Sequence, residues 1–320
     1  MAARTKYELK TGMATREAFG RALAELGREN QDIVVCDADL SKSTMVHFFA
    51  KEFPERFFSC GIAEANMVAI GAGLAASGKI PFVASFSAFV LNKGFEQLRV
   101  TVAYPETNVK VVGTHSGISI GEDGPSQMSI EDLSLATALP GFVVISPADE
   151  ISMAAFVRLA AAHQGPVFLR AGRAKVPVIY PKDQTFVIGK AIELVEGRDV
   201  TLIGHGLMTA ECIRASEMLE SAGISARVLD MPTIKPLDHE AIARAAETGA
   251  IVVAEEHLED GGLGVKVAQS AALSSPAVME FAGIRNTYAE SGTPEGLLEK
   301  YGLTAAHVAE AARRAIRRKR

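Results

Sequence analysis

The stretch Val109-Lys110-Val111-Val112-Gly113-Thr114-His115-Ser116-Gly117-Ile118-Ser119-Ile120-Gly121-Glu122-Asp123-Gly124-Pro125-Ser126-Gln127-Met128 runs from an apolar strand into a loop that gathers an imidazole, two carboxylates and three glycines after residue 113. In a doubly wound sheet the carboxyl ends of the strands border the ligand crevice, so polar groups placed straight after a strand stand where a site belongs. Outward from this stretch the same pattern recurs. Short apolar runs near 33–35, 57–59, 81–85, 143–145 and 167–169 alternate with helical runs near 15–27, 63–77, 92–104 and 149–163. That alternation predicts a parallel sheet with helices on both faces.

Val176-Pro177-Val178-Ile179-Tyr180-Pro181-Lys182-Asp183 carries two prolines and no helical period, which reads as a linker. A second series follows it, with strands near 200–203, 227–229, 251–254 and 278–281 and helices near 209–221, 239–247, 264–272 and 304–317. The expected fold class is therefore α/β in two domains, a doubly wound parallel sheet over 1–182 and a smaller α/β domain over 183–320. A length of 320 residues allows two cores, since single cores stop growing near ~250. There is no tandem repeat and no low-complexity segment.

Apolar residues make up 48% of the chain and aromatics 6%, with no Trp, which suits closely packed small-residue helices. A net charge of -5 argues against a nucleic-acid-binding face. The basic tail from Arg313 to Arg320 reads as a complement to a helix dipole. Cys36, Cys60 and Cys212 are odd in number and far apart, so they read as buried thiols of a reducing compartment, without disulfides or zinc. His205, His257, Glu255, Glu256, Glu259 and Asp260 offer no usable metal-ligand spacing. The first residues lack an apolar signal core and no apolar run approaches the ~20 residues of a membrane span. The expectation is a cytoplasmic protein with neither nucleic acid nor membrane as partner.

Several polar residues admit two readings when taken singly. Glu64, in Cys60-Gly61-Ile62-Ala63-Glu64-Ala65-Asn66-Met67, stands in the first turn of a helix rich in Ala and Gly, where an acid either offsets the dipole or serves a site. Phe86 and Phe89 follow the 81–85 strand as core residues or as a platform. Arg16 and Arg170 are surface charges, ion-pair partners or phosphate forks, and Ser43 is a helix cap or a ligand. Asp123 closes a Gly-Pro turn or binds a hydroxyl.

Taken together, these segments resemble the transketolase family of thiamine-diphosphate enzymes over about residues 11–303. The match is to its pyrimidine-binding and carboxy-terminal domains. Pro232-Thr233-Ile234-Lys235-Pro236-Leu237-Asp238 and Glu255-Glu256-His257-Leu258-Glu259-Asp260-Gly261-Gly262-Leu263-Gly264 carry the second of these, a domain that mainly builds the dimer. The resemblance implies that Glu64 hydrogen-bonds a ring nitrogen of the cofactor's aminopyrimidine and promotes loss of the thiazolium proton, a role that needs a buried carboxyl. It implies that Phe86 and Phe89 flank that ring and that Asp39 lies beside the cofactor. Arg16, Ser43, His115 and Arg170 would bind the terminal phosphate of a sugar, and Asp123 the donor's hydroxyl. Glu64, His115 and Asp123 are thus the expected catalytic groups. Two positions depart from many transketolases: Asn92 replaces an aromatic, and Gln127 stands where a histidine is common, as in animal-type sequences with the same Gly-Pro-Ser-Gln-Met run.

The chain has no Gly-Asp-Gly, the motif through which the family holds the cation of thiamine diphosphate. The resemblance therefore implies a split enzyme. A separate amino-terminal subunit would supply the diphosphate site and its Mg2+ or Ca2+, in an assembly of two copies of each chain, turning over sugar phosphates of the pentose phosphate pathway. A deoxyxylulose-phosphate synthase half usually has arginine where Phe89 stands and lacks the Gly-Glu-Asp-Gly-Pro-Ser-Gln-Met string. A 2-oxoacid dehydrogenase beta subunit has no use for phosphate-directed arginines. A regulatory subunit that kept only the fold is the non-enzyme alternative.

Overall fold

A computed structural model describes residues 7–319; residues 1–6, on which the expectation of no signal core rests, and Arg320 of the basic tail lie outside the described residues. The first sheet has seven strands in the order Thr233–Lys235, Val143–Ile145, Val167–Arg170, Lys110–Thr114, Ile80–Phe86, Ile33–Asp37, Phe57–Ser59. Six are parallel, and Thr233–Lys235 runs antiparallel at the edge. Its inner strands are buried on both faces, which is why they read as continuous apolar runs. Alternation along them sends Ile33, Val35, Phe82, Ala84, Val112 and Leu169 into one core, and Cys36, Val83, Val111, Val144 and Phe168 into the other.

Register decides where the site lies. Phe86 pairs with Thr114, Ala84 with Asp37 and Gly113 with Arg170, so the carboxyl ends of four strands finish level with one another. Thr15–Glu29 and Glu150–Ala162 pack together over one face. The second of these helices is started by a capping box in which Asp149 and Ser152 satisfy each other's backbone N–H groups. Ser87–Gln97 begins sooner than the sequence predicts and runs on into a π-helical turn, Leu98–Ala103.

The second sheet has five strands in the order Val278–Ile284, Ala250–Leu258, Val200–Gly204, Ala226–Asp230, Ile192–Val195, parallel except for the last. Both α/β domains are as expected, with two features the sequence pattern did not predict. Residues 233–235 lie beyond the expected division at 182/183 yet form an edge strand of the first sheet. The expected linker begins as a strand, since Lys175–Pro177 pairs with Thr11–Ala14. It is then pinned by Asp149, which accepts from the N–H groups of Ile179 and Tyr180, and by the Tyr180 hydroxyl on Asp230 at 2.5 Å.

The basic tail is structural: Arg314 Nε lies 3.0 Å from Glu280 and Lys319 Nζ donates to the carbonyl of Thr248 at 2.6 Å. Cys36 and Cys212 are buried, whereas Cys60 is half-buried. Among the described residues no helix is long and apolar enough to cross a membrane.

Candidate active site

The loop after Lys110–Thr114 turns on His115, which takes a left-handed φ of +58°. Its Nε2 lies 3.0 Å from Arg16 Nη1 and its Nδ1 2.9 Å from the Thr114 hydroxyl. Arginine can only donate, so Nε2 accepts and the proton is assigned to Nδ1, which donates to Thr114 Oγ1. Thr114 in turn donates to the Ser85 carbonyl at 3.3 Å. Burial, and then the charges of Arg16 and Arg173, push the imidazole down to about 3, so His115 is neutral at physiological pH.

Arg16 Nη1 also donates to the Ser43 carbonyl at 2.7 Å, which brings the predicted Arg16, Ser43 and His115 together. The buried Arg16 Nε has no partner among the described residues. Arg173 adds a second guanidinium beside this group, 3.4 Å from Glu122 and 4.0 Å from the half-exposed carboxylate of Asp123. A neutral imidazole, two neighbouring guanidiniums and one unsatisfied buried donor suit an anion.

Arg170 does not join that cluster. It is 5% exposed, its Nε is 2.8 Å from Asp132, and its Nη2 donates to the Glu256 carbonyl at 2.9 Å. As the last residue of a buried strand, it is committed to a carboxylate with no exposed surface of its own. Arg173, in the loop beyond the strand, stands near Arg16 instead, and the sequence pattern did not single it out.

Glu64 opens the helix Glu64–Ala76 and is 3% exposed, as a buried site acid should be. Among the described residues its carboxylate has a single partner, Lys93 Nζ at 3.4 Å. Phe86 stacks on Phe89 at 5.4 Å and on the His115 ring at 3.8 Å, so the expected aromatic pair links the Glu64 side to the His115 side. Asp39 is exposed, at a left-handed φ of +63°. Its turn is held by Asp37, which sequence reasoning passed over and which accepts from the Leu40 N–H at 3.0 Å. Burial pushes the Asp37 carboxyl up to about 6.

A buried carboxylate short of hydrogen bonds, next to stacked phenyl rings, matches a flat heterocycle that offers an N–H and an aromatic face. These residues fit the pyrimidine end of thiamine diphosphate. Among the described residues, no three His, Cys, Asp or Glu side chains gather where they could hold a metal ion.

The transketolase pyrimidine-binding domain matches residues 11–178 and the transketolase C-terminal domain matches residues 189–308. A putative transketolase C-terminal section from Methanocaldococcus jannaschii is 43% identical over 299 residues, which cover 92% of this chain and 94% of that one. The 6-deoxy-6-sulfo-D-fructose transketolase subunit of a Clostridium species is 40% identical over 95% of both chains. Human transketolase is 38% identical over 96% of this chain, which spans 50% of that protein's length. A solved structure described as a split gene transketolase, inactive beta4 tetramer, superposes with a TM-score of 0.91 at 48% identity, covering 97% of this chain and 100% of that one. The class these matches define is that of thiamine-diphosphate-dependent transferases, represented by two of their domains. The chain belongs to the transketolase family.

Proposed function

We propose that this chain is the carboxy-terminal subunit of a two-chain transketolase, moving a two-carbon ketol unit from a ketose phosphate to an aldose phosphate. The observation that carries the reading is Glu64, a 3% exposed carboxylate without a hydrogen bond among the described residues, beside the Phe86 and Phe89 stack. End-to-end alignment with chains named as a transketolase section and a transketolase subunit supports the two-chain organisation. An amino-terminal subunit then provides the diphosphate and cation site, with Mg2+ or Ca2+, and two copies of each chain assemble in the cytoplasm.

Thiamine diphosphate, when bound, supplies the nucleophilic carbon and the electron sink for carbon–carbon cleavage and formation. Glu64 accepts the pyrimidine's N–H, and its position in the first helical turn holds the carboxylate in place. Phe86 and Phe89 cover the ring and exclude water from it, and Asp39 borders the same pocket. Arg16, Arg173, Ser43 and His115 hold the terminal anion of the sugar, with Arg173 in the role that the family resemblance assigns to Arg170. A phosphate and a sulfonate present the same charged oxygens to this group. Asp123 accepts a donor hydroxyl, which fixes the sugar's orientation relative to Arg16.

The test is reconstitution. The chain is expected to co-purify with a protein carrying a Gly-Asp-Gly cation motif. The mixture, and neither chain alone, is expected to convert xylulose 5-phosphate and ribose 5-phosphate. Glu64→Ala is expected to abolish turnover while leaving assembly intact. Turnover by this chain alone, or an active Glu64→Ala mixture, defeats the reading.

A further inference from the structure

Lys93 occupies the two features that the proposed cofactor ring would use. Its ammonium stands 3.4 Å from Glu64 Oε2 and 4.5 Å from the centroid of the Phe89 ring. Lys93 lies four residues beyond Phe89 on Ser87–Gln97, the spacing that brings side chains together on one helical face. Gly94, next in sequence, packs closely on the helix that bears the acid: a β-carbon there would stand 3.2 Å from Val68 Cγ2 and in ordinary contact, 3.7 Å, with the Glu64 carbonyl. An ammonium is attracted to a carboxylate and to the face of an aromatic ring alike. A protonated or N–H-bearing aminopyrimidine is attracted to the same pair.

We propose that Lys93 is a placeholder cation: it neutralises Glu64 and covers Phe89 until the aminopyrimidine displaces it, so cofactor binding in this enzyme is a competition with the protein's own lysine. The inference rests on the proposed role of Glu64 and Phe89. Its physical basis is that Glu64 is 3% exposed, and a buried carboxylate without a counter-charge is costly. Lys93, at 52% side-chain exposure, can leave for water at little cost. Once it leaves, the carboxylate is free to accept from the ring, and the Phe89 face is open for stacking.

The experiment is calorimetric titration of thiamine diphosphate, with saturating Mg2+, into the assembled two-chain enzyme in wild-type, Lys93→Met and Lys93→Arg forms. Methionine keeps the length and loses the charge, and because residue 93 is half-exposed the fold is retained. Lys93→Met is expected to bind about fivefold more tightly, equivalent to about 1 kcal/mol. The gap is expected to narrow as NaCl is raised, because salt screens the ion pair that competes. Lys93→Arg keeps the cation and is expected to bind like the wild type. Equal or weaker binding by Lys93→Met overturns the inference, as does Lys93→Arg behaving like Lys93→Met. A wild-type assembly that takes up no thiamine diphosphate sinks the cofactor reading as well; unequal fates for the two variants bear on Lys93 alone.

Discussion

Gly117 lies directly against Glu256, across the boundary between the two sheets: a β-carbon on Gly117 would stand 2.1 Å from Glu256 Cδ. The Glu256 carboxylate also accepts from the Ser119 N–H at 2.6 Å, and the Leu258 N–H donates to the Ile130 carbonyl at 2.8 Å. The loop bearing His115 and Asp123 is thus gripped at its start and its end by one strand of the second domain. Gly117 has a φ of +81°, where an L side chain is strained even without the overlap. Gly117→Ala is expected to cost more than about 2 kcal/mol in urea unfolding, the sum of that strain and overpacking. It is also expected to raise KM for phosphorylated substrates in the reconstituted enzyme. An unchanged midpoint with unchanged KM would show that the grip has no consequence.

Burial pushes the Glu256 carboxyl up to about 7 from an ordinary 4.5. The folded chain therefore binds this proton more tightly than the unfolded chain does. The associated stability is fully present below about pH 4.5 and is lost as the pH rises through about 7. Glu256→Gln keeps an acceptor for Ser119 and cannot ionise. The stability difference between wild type and variant is expected to move in the variant's favour by on the order of 3 kcal/mol across that window, measured by urea unfolding at its two ends. A difference independent of pH removes Glu256 as the titrating group.

The two arginines separate by what their loss does. Arg170→Gln leaves Asp132, which is fully buried, without its counter-charge, and is expected to destabilise the fold by about 3–5 kcal/mol. Arg173→Gln, at a side chain 35% exposed, is expected to shift stability by less than about 0.5 kcal/mol while raising KM for phosphorylated substrates at least tenfold. The reverse outcome would return Arg170 to the substrate site.

His115 is expected to remain neutral in NMR spectra above about pH 5, with its midpoint far below 6.5, and to display the Nδ1–H tautomer in its nitrogen shifts. Arg16→Gln removes one of the charges that disfavour the imidazolium and is expected to raise its pKa. A wild-type imidazole titrating near 6.5 would contradict the burial and charge argument.

The alternation of strands and helices was legible because the inner strands are buried on both faces and carry unbroken apolar runs. Thr233–Lys235 was not legible. Three residues flanked by Pro232 and Pro236 have no period of their own, and their place at Val143–Ile145 is set by pairing across the fold. Glu64 could be read from its position before a small-residue helix. Arg170, expected among the phosphate ligands, ends a buried strand whose register turns it toward Asp132. The crevice of such a sheet lies at the loop that follows, Ala171-Gly172-Arg173, and there Arg173 stands near Arg16. Glu256 was passed over as part of a dimer-building domain, although two adjacent acids at the end of an apolar strand already called for partners inside the protein.

The short ribbon at 233–235 has a consequence during synthesis. The earlier sheet keeps one flank bare on the ribosome until about fifty residues of the following domain have emerged, counting from the expected division near 182. The amino-terminal layer cannot reach its finished form ahead of its neighbour. Completion of the first sheet at Val143–Ile145 thus waits on a segment of the second domain, which ties the two domains to a shared folding schedule.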